Sequence, residues 1–151
     1  MKHEKYHIES NTAFLRFEFF SEGPKGRIKK QVIFKQTTHV SVYNLGFGDF
    51  NLETGEINDS IVTDNKDSQK VLATVASTIY KFFEKHPDCF VYATGSTVSR
   101  TRLYRIGISN NLDKIVNDFE LFGFIDNGWE KFKKGRPYEA FLIKKNSIFD
   151  K

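Results

Sequence analysis

An apolar run that begins at Cys89 ends in Thr94-Gly95-Ser96-Thr97 and is followed at once by Arg100, Arg102 and Arg105. A strand that delivers Gly-Ser-Thr to the start of an arginine-bearing helix has the chemistry of an anion cup. Backbone N–H groups at a helix start carry partial positive charge, small residues let a ligand approach, and hydroxyl and guanidinium groups add donors. The candidate ligand-binding set is therefore Gly95, Ser96, Thr97, Arg100, Arg102, Tyr104 and Arg105. Phosphate is the group that such a set fits.

Each helical residue advances about 100°, so Val98, Arg102, Leu103 and Ile106 fall on one broad face, while Arg100, Tyr104 and Gly107 share the other. This phase predicts that Arg102 points towards an apolar surface. There a guanidinium, which keeps its charge, needs either an internal carboxylate or a bound anion. Arg105 lies about 60° away and can join Arg102 on one oxyanion. Tyr104 and Arg100 are neighbours across one turn and could stack a base. Ser96 and Thr97 also suit plain N-caps of their own helix. The G-x-x-x-x-G-K-S/T phosphate loop is absent.

A second basic group is spread over two predicted hairpins, with Arg27 and Lys29 in one and Lys133, Lys134 and Arg136 in the other. If the hairpins meet beside the cup, these residues make a track for a nucleic-acid backbone. Edge-strand lysines that aid solubility are the competing explanation. The acidic residues Asp49, Glu53, Glu56, Asp59, Asp64 and Asp67 fit no metal-loop spacing and are explained by turns and caps, so no metal is expected. His3, His7, His39 and His86 lack the pairing of a zinc site, and Cys89 enters an apolar strand as a small hydrophobe. No cofactor is expected.

These groups must be held by a framework, and 151 residues suffice for one domain without metal or disulfide support. Sixteen Phe, six Tyr and one Trp favour a sheet with bulky packing. Ala13 to Ser21 and Arg27 to Gln36, joined by Glu22-Gly23-Pro24-Lys25-Gly26, read as a hairpin. Val40 to Phe50 reads as a third strand, in which Gly46 and Gly48 mark a bulge or a close approach, and Ile57 to Thr63 as a fourth. From Asp67 to Lys85 the period becomes helical, with Val71, Leu72, Val75, Ile79, Phe82 and Phe83 on one stripe, Asn65 or Asp67 as cap and Pro87 as stop. Cys89 to Thr94 is a strand, and a further helix from Asn110 or Asn111 carries Leu112, Ile115, Val116, Phe119 and Phe122 to Gly123. Trp129 to Phe132 and Tyr138 to Lys144 read as a closing hairpin.

The expected fold is a single α+β domain over residues 1–151, with residues 1–11 flexible. It has a largely antiparallel sheet of about six to seven strands, one long helix and two shorter ones, in the order β-β-β-β-α-β-α-α-β-β.

Tyr43-Asn44-Leu45-Gly46-Phe47-Gly48-Asp49, Lys70-Val71-Leu72-Ala73-Thr74-Val75 and Gly95-Ser96-Thr97 with Arg100-Thr101-Arg102-Leu103-Tyr104 resemble an uncharacterised bacterial family of unknown function, over nearly the whole chain. That resemblance implies a compact intracellular protein and brings no activity. The C-terminal half, with Phe119-Glu120-Leu121-Phe122-Gly123-Phe124 and the strand through Tyr138 to Lys144, is loosely similar to the acyl-CoA N-acetyltransferases. Their pyrophosphate loop, R/Q-x-x-G-x-G/A, is replaced here by Asp64-Asn65-Lys66-Asp67-Ser68-Gln69.

One cysteine excludes an internal disulfide and suits a reducing cytoplasm, and no run approaches the ~20 apolar residues of a membrane helix. A net charge of +4 is compatible with polyanionic partners. The expected function is a cytoplasmic phosphate- or anion-binding module for nucleic acid or a nucleotide. Two alternatives stay open: an acetyltransferase-like enzyme with a degenerate cofactor loop, and a toxin–antitoxin component that acts through a protein partner.

Overall fold

The computed structural model describes residues 4–51, 53–58, 65–95 and 98–146. The fold is α+β, as the order of β- and helix-forming segments predicts. Five strands come first: β1 (Glu9–Ser10), β2 (Arg16–Gly23), β3 (Gly26–Gln36), β4 (Val42–Asn51) and β5 (Glu56–Asn58). Helix α1 (Ser68–Lys85) leads to β6 (Phe90–Ala93), then α2 (Val98–Asn110) and α3 (Leu112–Asp118) precede β7 (Phe119–Ile125), β8 (Gly128–Lys131) and β9 (Ala140–Lys145). Among the described residues these strands form one mixed, mostly antiparallel sheet in the order β1-β2-β3-β4-β6-β9-β7-β8, with β5 paired to β4.

Alternation along each strand separates two faces. Direct cross-strand partners share a face, so Phe17, Val32 and Phe47 stand in one row and Phe34 and Leu45 in the next, all buried. The helices pack on this face, and Val71, Val75, Phe82 and Phe83 of α1 are its buried contacts. The core is aromatic: the Phe34 and Phe82 rings lie 4.5 Å apart and the Phe83 and Phe119 rings 5.3 Å apart. Each such buried ring stabilises the fold by about 2–3 kcal/mol in area terms.

The start of α1 is pinned to the β2–β3 hairpin. Asn65 is 1% exposed; its side-chain amide donates to Ser21 Oγ and the Gly26 carbonyl and accepts from the Lys25 N–H. The Asp67 carboxylate accepts from Ser21 Oγ at 2.5 Å and Tyr6 Oη at 2.7 Å. Asp67 is the N-cap residue, although its side chain makes no capping bond.

Four expectations need correction. Residues 1–11 are expected to be flexible, yet in their described part, residues 4–11, β1 pairs with β2 and the Tyr6 N–H donates to Thr74 Oγ1. The helix expected to run to Phe122 ends at Asp118, and Phe119–Ile125 is a strand: Phe119, Leu121 and Gly123 alternate onto the buried face while its backbone pairs with β8 on one edge and β9 on the other. The expected closing hairpin does not form: β8 pairs with β7, while β9 inserts between β6 and β7. The strand count rises to nine among the described residues, since β1 and β7 add to those expected. The fourth strand expected over Ile57 to Thr63 is described only as Glu56–Asn58, and residues 59–64 lie outside the described residues.

Candidate functional site

The end of β6, the first turns of α2 and the residues leading into β9 enclose an open cleft of about 670 Å³. Thr94 and Gly95 form its back, Arg102 and Arg105 one wall, and Pro137, Tyr138 and Glu139 the other. Arg102 and Arg105 are neighbours at i,i+3 on the helix surface, and both line this cleft. Neither forms an ion pair with a described carboxylate. Each guanidinium carries a permanent charge and five N–H donors in a planar fork.

The rest of the cup differs from expectation. The Gly95 N–H donates to Thr101 Oγ1 at 2.9 Å, and the Thr94 hydroxyl donates to the Glu139 carbonyl at 2.8 Å, so both donors serve the fold. The phase of α2 is inverted: Tyr104 is 7% exposed and faces the core, while Val98 is 88% exposed and Arg102 lies on the open side. Arg102 therefore needs no internal carboxylate. Tyr104 lines an apolar space between α1, α2 and the sheet with Leu72, Val75 and Ile108, which removes it from base stacking. Ser96, Thr97 and the Arg100 side chain lie outside the described residues.

The opposite wall is braced by a network that the sequence reading missed. Tyr138, 1% exposed, donates its phenol proton to Glu130 Oε2 at 2.6 Å and accepts from the Lys133 N–H at 3.0 Å. Arg136 Nε lies 2.7 Å from the same Glu130 oxygen, without the alignment of a hydrogen bond. The Tyr138 hydrogen bond, followed by the charges of Arg136 and Lys133, holds the Glu130 carboxyl below its ordinary range. Burial, followed by the bond to Glu130, raises the Tyr138 phenol. The Tyr138 ring packs directly on Gly123, where a Cβ would fall well inside van der Waals contact. The sequence signal was the lone glycine inside an aromatic strand.

The nucleic-acid track does not assemble. β3, with Arg27 and Lys29, and β8, next to Lys133, Lys134 and Arg136, are five strand spacings apart, about 24 Å. Arg27 stacks 3.7 Å over the Phe20 ring, Lys29 lies 3.2 Å from Glu18, and Arg136 is held by Glu130. Among the described residues no three His, Cys, Asp or Glu side chains group as metal ligands. Burial raises the Cys89 thiol, with Asp88 adding to the shift, which keeps it protonated rather than nucleophilic.

Fold and cleft together define an α+β protein that backs an arginine-lined cleft with a mixed sheet. No described helix is long and apolar enough to cross a membrane. The chain belongs to a family of unknown function, DUF6934, whose model matches residues 2–146. No curated protein and no solved structure matches it.

Proposed function

We propose that this protein is a cytoplasmic anion-binding module that takes a phosphate group of a nucleotide or nucleic-acid strand between Arg102 and Arg105. The reading rests on the presence of Arg102 and Arg105 in one cleft, neither in an ion pair with a described carboxylate, although Glu139 lines the opposite wall. Two neighbouring guanidinium groups repel each other, and a phosphate between them would turn that repulsion into charge-assisted hydrogen bonds. The cleft is open and wide, which suits a phosphate attached to a larger body. Because the basic track is not assembled, about two phosphate charges are neutralised per site. The affinity for a short single strand should then fall with salt with a log–log slope of about −1.4.

The test is fluorescence anisotropy of a labelled single-stranded oligonucleotide and of a labelled mononucleotide over a salt series. Replacing Arg102 and Arg105 by Ala should weaken binding at least tenfold without moving the melting temperature. Undiminished binding by the double variant would remove the cleft from the account.

The acetyltransferase-like alternative meets an obstacle at α1. The stretch that would hold a pyrophosphate presents the Asp67 carboxylate, tied to Ser21 and Tyr6. A thermal-shift measurement with acetyl-CoA tests it, and no stabilisation is expected. The protein-partner alternative draws on the helix-free face, where Trp129, 45% exposed, lies 5.2 Å from Phe124 and 6.2 Å from Tyr92 by ring centroid. Growth arrest on expression, relieved by a co-expressed small partner as in a toxin–antitoxin pair, would favour that reading.

A further inference from the structure

The helix-free face carries a second concavity, a trough of about 750 Å³ over β3, β4 and β5. Its origin is legible in the register. Gly48 stands opposite Gln31 and Gly46 opposite Ile33, so two alternate positions of β4 place no side chain on this face. Of these, Gly46 lines the trough with bare backbone, together with Gln31, Ile33 and Ile57 of β5. The fold does not require this at Gly46: its φ is not positive, and an added Cβ would meet only Ile57 Cδ1 at 3.6 Å and the Ile33 carbonyl at 3.7 Å, ordinary contact distances.

One polar group in this trough is left over. Gln31 is 5% exposed, yet among the described residues its Oε1 accepts no hydrogen bond. A buried acceptor without a donor is costly, and native folds retain few. One row along the same face stands Arg16, opposite Ile33, and two rows along stands Lys35, opposite Asn44; neither is in an ion pair with a described carboxylate. Lys35 is four residues from Gln31 on the strand, about 13 Å. A ligand that satisfies both ends carries a hydrogen-bond donor at one end and an anion at the other, with a flat body between them to lie on bare backbone.

We propose that this trough is a binding site for a purine mononucleotide, with the base over Gly46, its amino or ring N–H group donating to Gln31 Oε1, and its phosphate held by Arg16 and Lys35. Glu56 at the rim offers a further acceptor for the base edge. The site is separate from the Arg102–Arg105 cleft, so either can fail without the other.

The experiment is titration calorimetry with GMP and AMP on the full chain carrying the Arg102→Ala and Arg105→Ala substitutions, which removes the cleft as a binding site. Saturable binding is expected, with guanosine and ribose 5-phosphate each at least tenfold weaker than GMP. Gln31→Met should weaken GMP at least tenfold while raising the melting temperature of the free protein, because the unpaired acceptor is gone. Gly46→Ala should fill the floor and weaken GMP similarly with no loss of stability. The surface pair Arg16→Ala and Lys35→Ala keeps the test open if Gln31→Met folds poorly, and it too should weaken GMP at least tenfold. Absence of mononucleotide binding at millimolar concentration would overturn the proposal, as would affinity unchanged by Gln31→Met, by Gly46→Ala or by the surface pair.

Discussion

Replacing Tyr138 by Phe would remove one hydroxyl that serves two partners, the Glu130 carboxylate and the Lys133 N–H. The loss should destabilise the protein by about 1–2 kcal/mol in denaturant unfolding, with the ring packing intact. It should also change the acid limb. Glu130 has a depressed pKa in the folded state, so its contribution is present above the unfolded carboxyl pKa and is lost as pH falls through the folded value. With Phe at 138 the largest cause of that depression is gone, and the stability–pH curve should flatten in the acid range. An unchanged acid limb would mean that Arg136 and Lys133 alone hold Glu130. Gly123 belongs to the same assembly: Gly123→Ala would drive a methyl into the Tyr138 ring and should cost about 1–3 kcal/mol, read as a lower melting temperature. At this scale the pairing of Arg102 with Arg105 was legible from spacing, but their direction was not. Helix α2 has apolar residues on both sides, Val98 and Ile106 on one and Tyr104 and Ile108 on the other. Only packing against α1 decides which pair is buried.

Among the elements, α1 shows the closest agreement between sequence and structure. Its apolar stripe, its start at Asp67 and its end before Pro87 all appear, because an 18-residue amphipathic helix has a strong period and clear punctuation. Phe119–Ile125 shows the reverse. Phe119 and Phe122 continue the 3–4 spacing of α3, while Phe119, Leu121 and Gly123 also alternate, so local pattern supports both readings. Pairing with β8 on one edge and β9 on the other settles it as strand. The clamp between α1 and the β2–β3 hairpin yields a further prediction. Asn65→Ala would remove the side-chain partner of the Lys25 N–H and the Gly26 carbonyl and one of the two bonds of Ser21 Oγ, and should destabilise the protein by about 2–3 kcal/mol. Chemical denaturation checks it. A cost within a few tenths would show that water replaces the amide.

For the whole molecule, the α+β class follows from composition and element order, whereas the strand order does not. β4 lies beside β6 and β9 beside both β6 and β7, pairings between segments far apart in sequence that no local rule specifies. That order separates the two basic hairpins and dissolves the expected track, and it also brings Pro137–Glu139 across from α2 to make a cleft. The described helices pack on one face, and on the other the trough over β3, β4 and β5 is lined by Gly46, Gln31 and Ile57. The central claim is that the cleft between Arg102 and Arg105 binds phosphate. It is tested most directly by titrating the ¹⁵N-labelled protein with inorganic pyrophosphate and following its amide resonances. Saturable shifts at Thr94, Gly95 and Val98 to Arg105, lost in the Arg102→Ala, Arg105→Ala double variant, are predicted. Resonances of the cleft that stay still at millimolar pyrophosphate, or that move equally in the double variant, would contradict it.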